Sequence, residues 1–179
     1  TIPKLYTAAY GPILIDGAEL DPAIIEVGRR YFAMDEPNLR AYAEDGRRFL
    51  MRSPARYDVI AVDAYRPPYV PFHLTTREFF EEARRHLTAR GVVVINVART
   101  ADDNSLVYAL AGTLRAVYPS VYIFDEPLYG SDLGNSLVIA TNRSTQLSNF
   151  AANLPLLAGN PLLSEVARRA APHIVAAPA

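Results

Sequence analysis

The sequence predicts a doubly wound α/β domain: a mostly parallel sheet with helices on both faces and an antiparallel hairpin at one edge. Three observations carry that expectation. Segments with helical spacing alternate with short apolar runs along most of the chain. The most hydrophobic of these runs, Tyr57 to Asp63, is nearly continuous, as a strand buried on both faces requires. Two further runs, Val121 to Phe124 and Ser136 to Thr141, follow one another with no helix between them, which makes an antiparallel pair.

Each element has its own local reason. Thr1 to Tyr10 is expected as a short helix that Thr1 caps, that accepts Pro3 in its first turn and that Gly11-Pro12 ends. Ile13 to Leu20 is an apolar strand. Asp21-Pro22 opens a helix in which Ile24, Ile25, Val27, Gly28 and Tyr31 recur at helical spacing. Leu39 to Ala43 is a weaker strand, ended by the turn Asp45-Gly46. Phe49, Leu50 and Met51 belong to a short helix closed near Pro54, and Tyr57 to Asp63 is the next strand. Pro67, Pro68 and Pro71 keep the stretch from Ala64 to Leu74 from being helical. Thr75-Thr76 cap a helix expected to run through Ala89. Its glutamates (Glu78, Glu81, Glu82) come early and its arginines (Arg84, Arg85, Arg90) late, as the helix dipole favours. Gly91 is its expected C-cap and Val92 to Val97 a β-branched strand. A helix over Ala101 to Tyr118, stopped by Pro119, precedes the two closing strands. The expected organisation is a methyltransferase-like Rossmann sheet over residues 1–142. A helical extension with an Ala/Pro-rich, disordered-looking end follows over 143–179.

At 179 residues the chain is long enough for one domain with a sizeable core. A formal net charge of −1 gives no electrostatic reason to expect nucleic acid or an acidic surface as partner. No cysteine is present, so disulfides and thiolate metal sites are excluded. The longest apolar runs have strand length and no signal peptide is visible, so no membrane contact is expected from this segment and a cytoplasmic location is. No His–acid pair has metal or triad spacing, no metal is expected, and His86 and His173 are expected at the surface. Tyr118 and Tyr122 are expected in the core or at an interface. Thr7, Ser105 and Ser136 lack a strand-to-helix nucleophile turn.

In doubly wound folds ligands meet the loops at the carboxyl ends of the strands. Glu19 ends the first strand, where its two oxygens can accept both hydroxyls of a ribose; the plainer alternative is a solvated acid before a helix, which Asp21 fits better as an N-cap. Asp45 and Gly46 follow the second strand. An Asp there can accept from an adenine amino group while the adjacent N–H meets a ring nitrogen, although taken alone a simple Asp-Gly turn is the stronger reading. Asp63 ends the most hydrophobic strand, a poor place for an unpaired charge, so it has a partner or a task; the alternative is a carboxylate capping loop amides. Tyr65, Tyr69, Phe72 and His73 share its loop. The tyrosines can equally face a substrate or pack on the domain, and Phe72 is expected in the core.

Read in order, GAELDPAIIEVGRRYF, EDGRRFL, YDVIAVDAY, TTREFFEEARRHLTARGVVVINV and TLRAVYPSVYIFD with NSLVIATN resemble the spermidine/spermine synthases (polyamine aminopropyltransferases), over roughly Thr1 to Asn142. The resemblance implies ribose at Glu19, adenine at Asp45 and Gly46, and Asp63 as the first acid of the D-x-x-D loop beside the reactive sulfonium. It implies aminopropyl transfer from decarboxylated S-adenosylmethionine to an amine, with Tyr65, Arg66 and Tyr69 toward that substrate, and a homodimer.

Three departures shape what is expected. The D-x-x-D loop is Asp63-Ala64-Tyr65-Arg66, so a cation replaces the acid that helps hold a diamine, which should repel a diammonium acceptor and favour one bearing a carboxylate. The family's P-T-Y-P-S-G segment has no clear counterpart; Glu126-Pro127-Leu128-Tyr129-Gly130 occupies its region. The Gly-rich loop and the strand before it, which belong ahead of Thr1, are not in the chain, so two sheet edges are expected to lack partners until upstream residues or another chain supply a strand. Two alternatives stand beside aminopropyl transfer: methyl transfer from ordinary S-adenosylmethionine, and a non-catalytic domain that kept the fold.

Overall fold

The computed structural model describes residues 2–65, 70–128 and 130–178. Thr1, Arg66, Pro67, Pro68, Tyr69 and Tyr129, all named above, lie outside the described residues. The chain divides into two compact units, Thr1–Ser53 and Pro54–Ala179.

In the first unit, α1 (Ile2–Tyr10) ends where Gly11 turns left-handed at φ 79 and its N–H reaches Thr7 O at 2.9 Å. Strand β1 (Ile15–Glu19) pairs in parallel with β2 (Leu39–Ala43), Ile15 against Leu39 through Glu19 against Ala43. Between them runs α2 (Pro22–Tyr31), with Asp21 as N-cap and proline in the first turn. Helix α3 (Gly46–Arg52) follows β2. Buried Asn38 ties the start of the pair together: its Nδ2 donates to Thr7 Oγ1 at 2.9 Å and to Ile13 O at 2.6 Å.

The second unit is built on one five-stranded sheet. Strand β3 (Tyr57–Val62) lies parallel to β4 (Leu87–Thr100), and β6 (Leu133–Thr141) runs antiparallel between β4 and β5 (Ser120–Asp125). The outer edge of β5 is covered by β7 (Ile174–Ala176), so the order is β3-β4-β6-β5-β7. Among the described residues β1 pairs with β2 alone and β3 with β4 alone.

Burial explains the order. Val93, Ile95 and Val97 of β4 are fully buried while Val92, Val94 and Asn96 on its other face are half-buried. Helix α4 (Arg77–Arg85) buries Phe79, Phe80 and Ala83, and α5 (Ser105–Arg115) buries Val107, Leu110, Ala111 and Leu114 at helical spacing. Thr76 caps α4 by accepting from Phe79 N–H at 3.2 Å. Tyr118 is a core residue whose hydroxyl donates to Phe80 O at 3.0 Å; burial raises its pKa well above the phenol range.

Four expectations change. Helix α4 stops at Arg85 rather than Ala89, because Leu87 is buried as the start of β4, opposite Tyr57. His86 is consequently not a surface residue: it caps α4, and its ring nitrogens lie 3.1 Å from Glu82 and 3.3 Å from Ala55 O. Gly91 is not a C-cap but a strand residue, where a Cβ would stand 3.0 Å from Leu87 and from Tyr57 O. Finally, after α6 (Leu147–Asn153) and α7 (Pro161–Ala170) the tail forms strand β7 instead of a loose end, with exposed His173 edge-on to Phe124. Among the described residues no helix is long and apolar enough to cross a membrane.

Candidate functional site

The first unit carries a groove at the carboxyl ends of β1 and β2, lined by Leu20, Ala41, Tyr42, Ala43, Glu44, Asp45, Arg48 and Arg52. Glu19, the residue before Leu20, ends β1. Its Oε1 accepts from Asp21 N–H at 3.0 Å, while Asp21 itself caps α2 through Ala23 N–H at 2.8 Å. The cap therefore belongs to Asp21 and leaves Glu19 half-buried at the strand end. Asp45 caps α3, with Oδ1 accepting from Arg48 N–H at 3.0 Å; the Asp-Gly turn is present as such. Beside Gly46 a Cβ would meet no atom within 4 Å, so a flat ring has room against that backbone. Tyr42 packs on Phe49 with ring centroids 4.7 Å apart, and Glu44 is neutralised by Arg48 at 3.2 Å and Arg52 at 2.8 Å. The groove thus holds Tyr42 and two neighbouring acids, Glu44 paired with its arginines and Asp45 at the start of α3.

In the second unit Asp63 follows β3 and is exposed. Its Oδ1 accepts from Asn96 Nδ2 at 2.9 Å, and Oδ2 accepts no hydrogen bond from the described residues. Tyr65 lies on the end of β4: its hydroxyl donates to Asn96 O at 3.2 Å and accepts from Ala98 N–H. Partial burial holds that phenol's pKa above its usual range, opposed by the Ala98 N–H and assisted by the Asp63 charge. Phe72 is a correction: it is 81% exposed, because the short 3₁₀ turn Phe72–Leu74 sends Leu74 inward, where it joins Val70 in the core. Arg66 and Tyr69 lie outside the described residues.

Two groups escaped the sequence reading. Asn96 is one; its signal was a single polar residue inside the run Val92 to Val97. The other gathers at the ends of β4 and β5. Arg99, with 9% of its side chain exposed, sets Nε 3.6 Å from Asp125 Oδ1 and donates from Nη2 to Glu126 O at 2.6 Å. Buried Ser136 donates to the same Asp125 oxygen at 2.5 Å. Nothing in the spacing of Arg99, Asp125 and Ser136 along the chain announces a pairing that only the β4-β6-β5 register creates.

Parallel strand pairs with acids at their carboxyl ends, one of those acids lining a groove, are features of the Rossmann-like class of α/β folds. Similarity to known proteins narrows it. Residues 14–149 match the spermine/spermidine synthase domain family, and the chain belongs to that family. It is 38% identical over 111 residues to a probable polyamine aminopropyl transferase of Bifidobacterium longum, covering 61% of this chain and 24% of that protein. It is 30% identical over 144 residues to a polyamine aminopropyltransferase of Vibrio vulnificus, covering 78% and 46%. The chain thus spans less than half the length of these relatives. A probable spermidine synthase structure from Corynebacterium glutamicum superposes with TM-score 0.64 at 24% identity, covering 87% of this chain and 61% of that one. Human methyltransferase-like protein 13 in complex with SAH superposes at 0.67 and 22% identity, covering 81% and 68%. At these identities both structures speak to the fold.

Proposed function

We propose that the chain serves aminopropyl transfer from decarboxylated S-adenosylmethionine to an amine, with release of methylthioadenosine. The observation that carries the reading is Asp63: an exposed carboxylate just past the buried Val62 at the end of β3, one oxygen held by Asn96 and the other accepting no hydrogen bond from the described residues. A primary amine has a pKa of about 10 and is protonated, hence not nucleophilic, near neutrality. Asp63 Oδ2 binds the ammonium and takes one proton. The freed lone pair attacks the aminopropyl carbon bonded to sulfur, the C–S bond breaks, and its electron pair neutralises the sulfonium to a thioether. In the first unit Glu19 would hold the ribose, with adenine against Gly46 and its amino group toward Asp45. Family membership and the groove beside Asp45 support that placement.

Arg66 stands in the sequence where a D-x-x-D loop has its second acid, and this supports an acceptor bearing a carboxylate over a diamine. The test is product analysis by mass spectrometry, using each donor with diamines and amino acids. Methylthioadenosine with an aminopropylated amine is the expected outcome. S-adenosylhomocysteine would establish methyl transfer instead, and no product with either donor would overturn the catalytic reading.

A further inference from the structure

We infer that Asn96 is a positioning residue for this transfer, its side-chain amide holding the Asp63 carboxylate in the orientation that leaves Oδ2 for the proton. The inference rests on the proposed function for its chemistry and on the sheet for its geometry. Strands β3 and β4 run parallel with Val62 opposite Ile95, so continuing the register brings Asp63 beside Asn96 and Tyr65 beside Ala98. The hydrogen bonds follow that register. Asn96 Nδ2 donates to Asp63 Oδ1 at 2.9 Å, and the Tyr65 hydroxyl meets Ala98 N–H and Asn96 O. The start of the loop is therefore fixed to β4 at three points, two of them on Asn96.

The side chain itself is not explained by packing. Val92 and Val94 share its face of β4, and an apolar residue would extend that row. Asn96 Oδ1 is buried and accepts no hydrogen bond from the described residues, among which Asp63 is the one group that orients the amide. A buried acceptor left unmatched is unfavourable. It is retained here with its donor end on the one exposed acid of the strand end. Tyr65 is the titratable neighbour that senses the Asp63 charge.

The experiment compares wild-type, Asn96→Leu and Asn96→Asp proteins. Asn96→Leu keeps the shape and removes the donor. It should lower kcat about 10- to 100-fold with the donor KM unchanged. Asn96→Asp, which puts an acceptor where the donor stood, should lower kcat at least as far, again with the donor KM unchanged. Wild-type kcat in Asn96→Leu would overturn the inference. A readout free of turnover covers a variant that fails to fold. In 15N-labelled protein the Asn96 side-chain amide signals should move between wild type and Asp63→Ala, because the acceptor at Nδ2 is lost. Amide signals unchanged by Asp63→Ala would also overturn it. Failure of the functional reading looks different: the wild type transfers nothing while the amide still follows Asp63.

Discussion

The two compact units are built to different standards. In Thr1–Ser53 the buried apolar side chains are Ile25 and Leu50, while Leu14, Leu20, Tyr31 and Phe32 stand well exposed. In Pro54–Ala179 a full sheet and two helices close over Phe80, Leu87, Ile95, Leu114 and Ile123. The first unit holds the groove at Asp45, and the second holds Asp63. Hydrophobic burial is the main favourable term in folding. The acid proposed to take the proton thus belongs to the unit with the larger core, and the groove rests largely on caps, ladder bonds and Asn38.

The strongest test of that contrast is truncation in each core. Phe80→Ala should cost about 3–5 kcal/mol, read by chemical denaturation, because its site is enclosed on all sides. Ile25→Ala should cost about 2 kcal/mol, since its thinly covered surroundings can collapse. Equal losses would break the comparison. Hydrogen exchange should separate the units in the same sense, with amides of β1 and β2 opening before those of β4. Caps sharpen it from the other side. Asp21→Ala and Thr76→Ala should each cost about 1 kcal/mol, because a cap is local. A markedly larger loss for Asp21 would show the first unit leaning on its helix ends.

The smallest effect concerns acid. The Arg85 hydrogen bond, followed by the Arg85 charge and His86, holds the Glu82 carboxyl below the usual range against the effect of burial. A depressed value in the folded state stabilises fully above the unfolded pKa of about 4.3 and is lost as pH falls through the lower folded value. Glu82→Gln should therefore flatten the acid limb of stability in the second unit alone, and modestly, since Arg85 is exposed. An unchanged limb would remove Glu82 from the account.

Much of this architecture was legible in residues that act locally. Asp21-Pro22, Thr76 and the apolar run from Tyr57 declare a cap, a cap and a strand without help from the rest of the chain. The acids at the strand ends were legible for the same reason. What escaped depends on partners distant in sequence. Leu87 and Ala89 are good helix formers, but burial of Leu87 against the β3 start draws the stretch into β4. Ile174–Ala176 is too short to read as a strand until β5 offers its edge. Phe72 and Leu74 share a turn whose two faces only the core distinguishes. Asn96 is a lone polar residue inside a β-branched run, and only the register sets it beside Asp63.

The central claim is that Asp63 takes the proton of the attacking amine. The direct measurement is the single-turnover rate of methylthioadenosine formation by the wild type and by Asp63→Asn, with nucleoside binding followed by calorimetry in both. The account predicts unchanged nucleoside affinity and a rate lower by about 10²- to 10⁴-fold in Asp63→Asn. A wild-type rate in Asp63→Asn would contradict it.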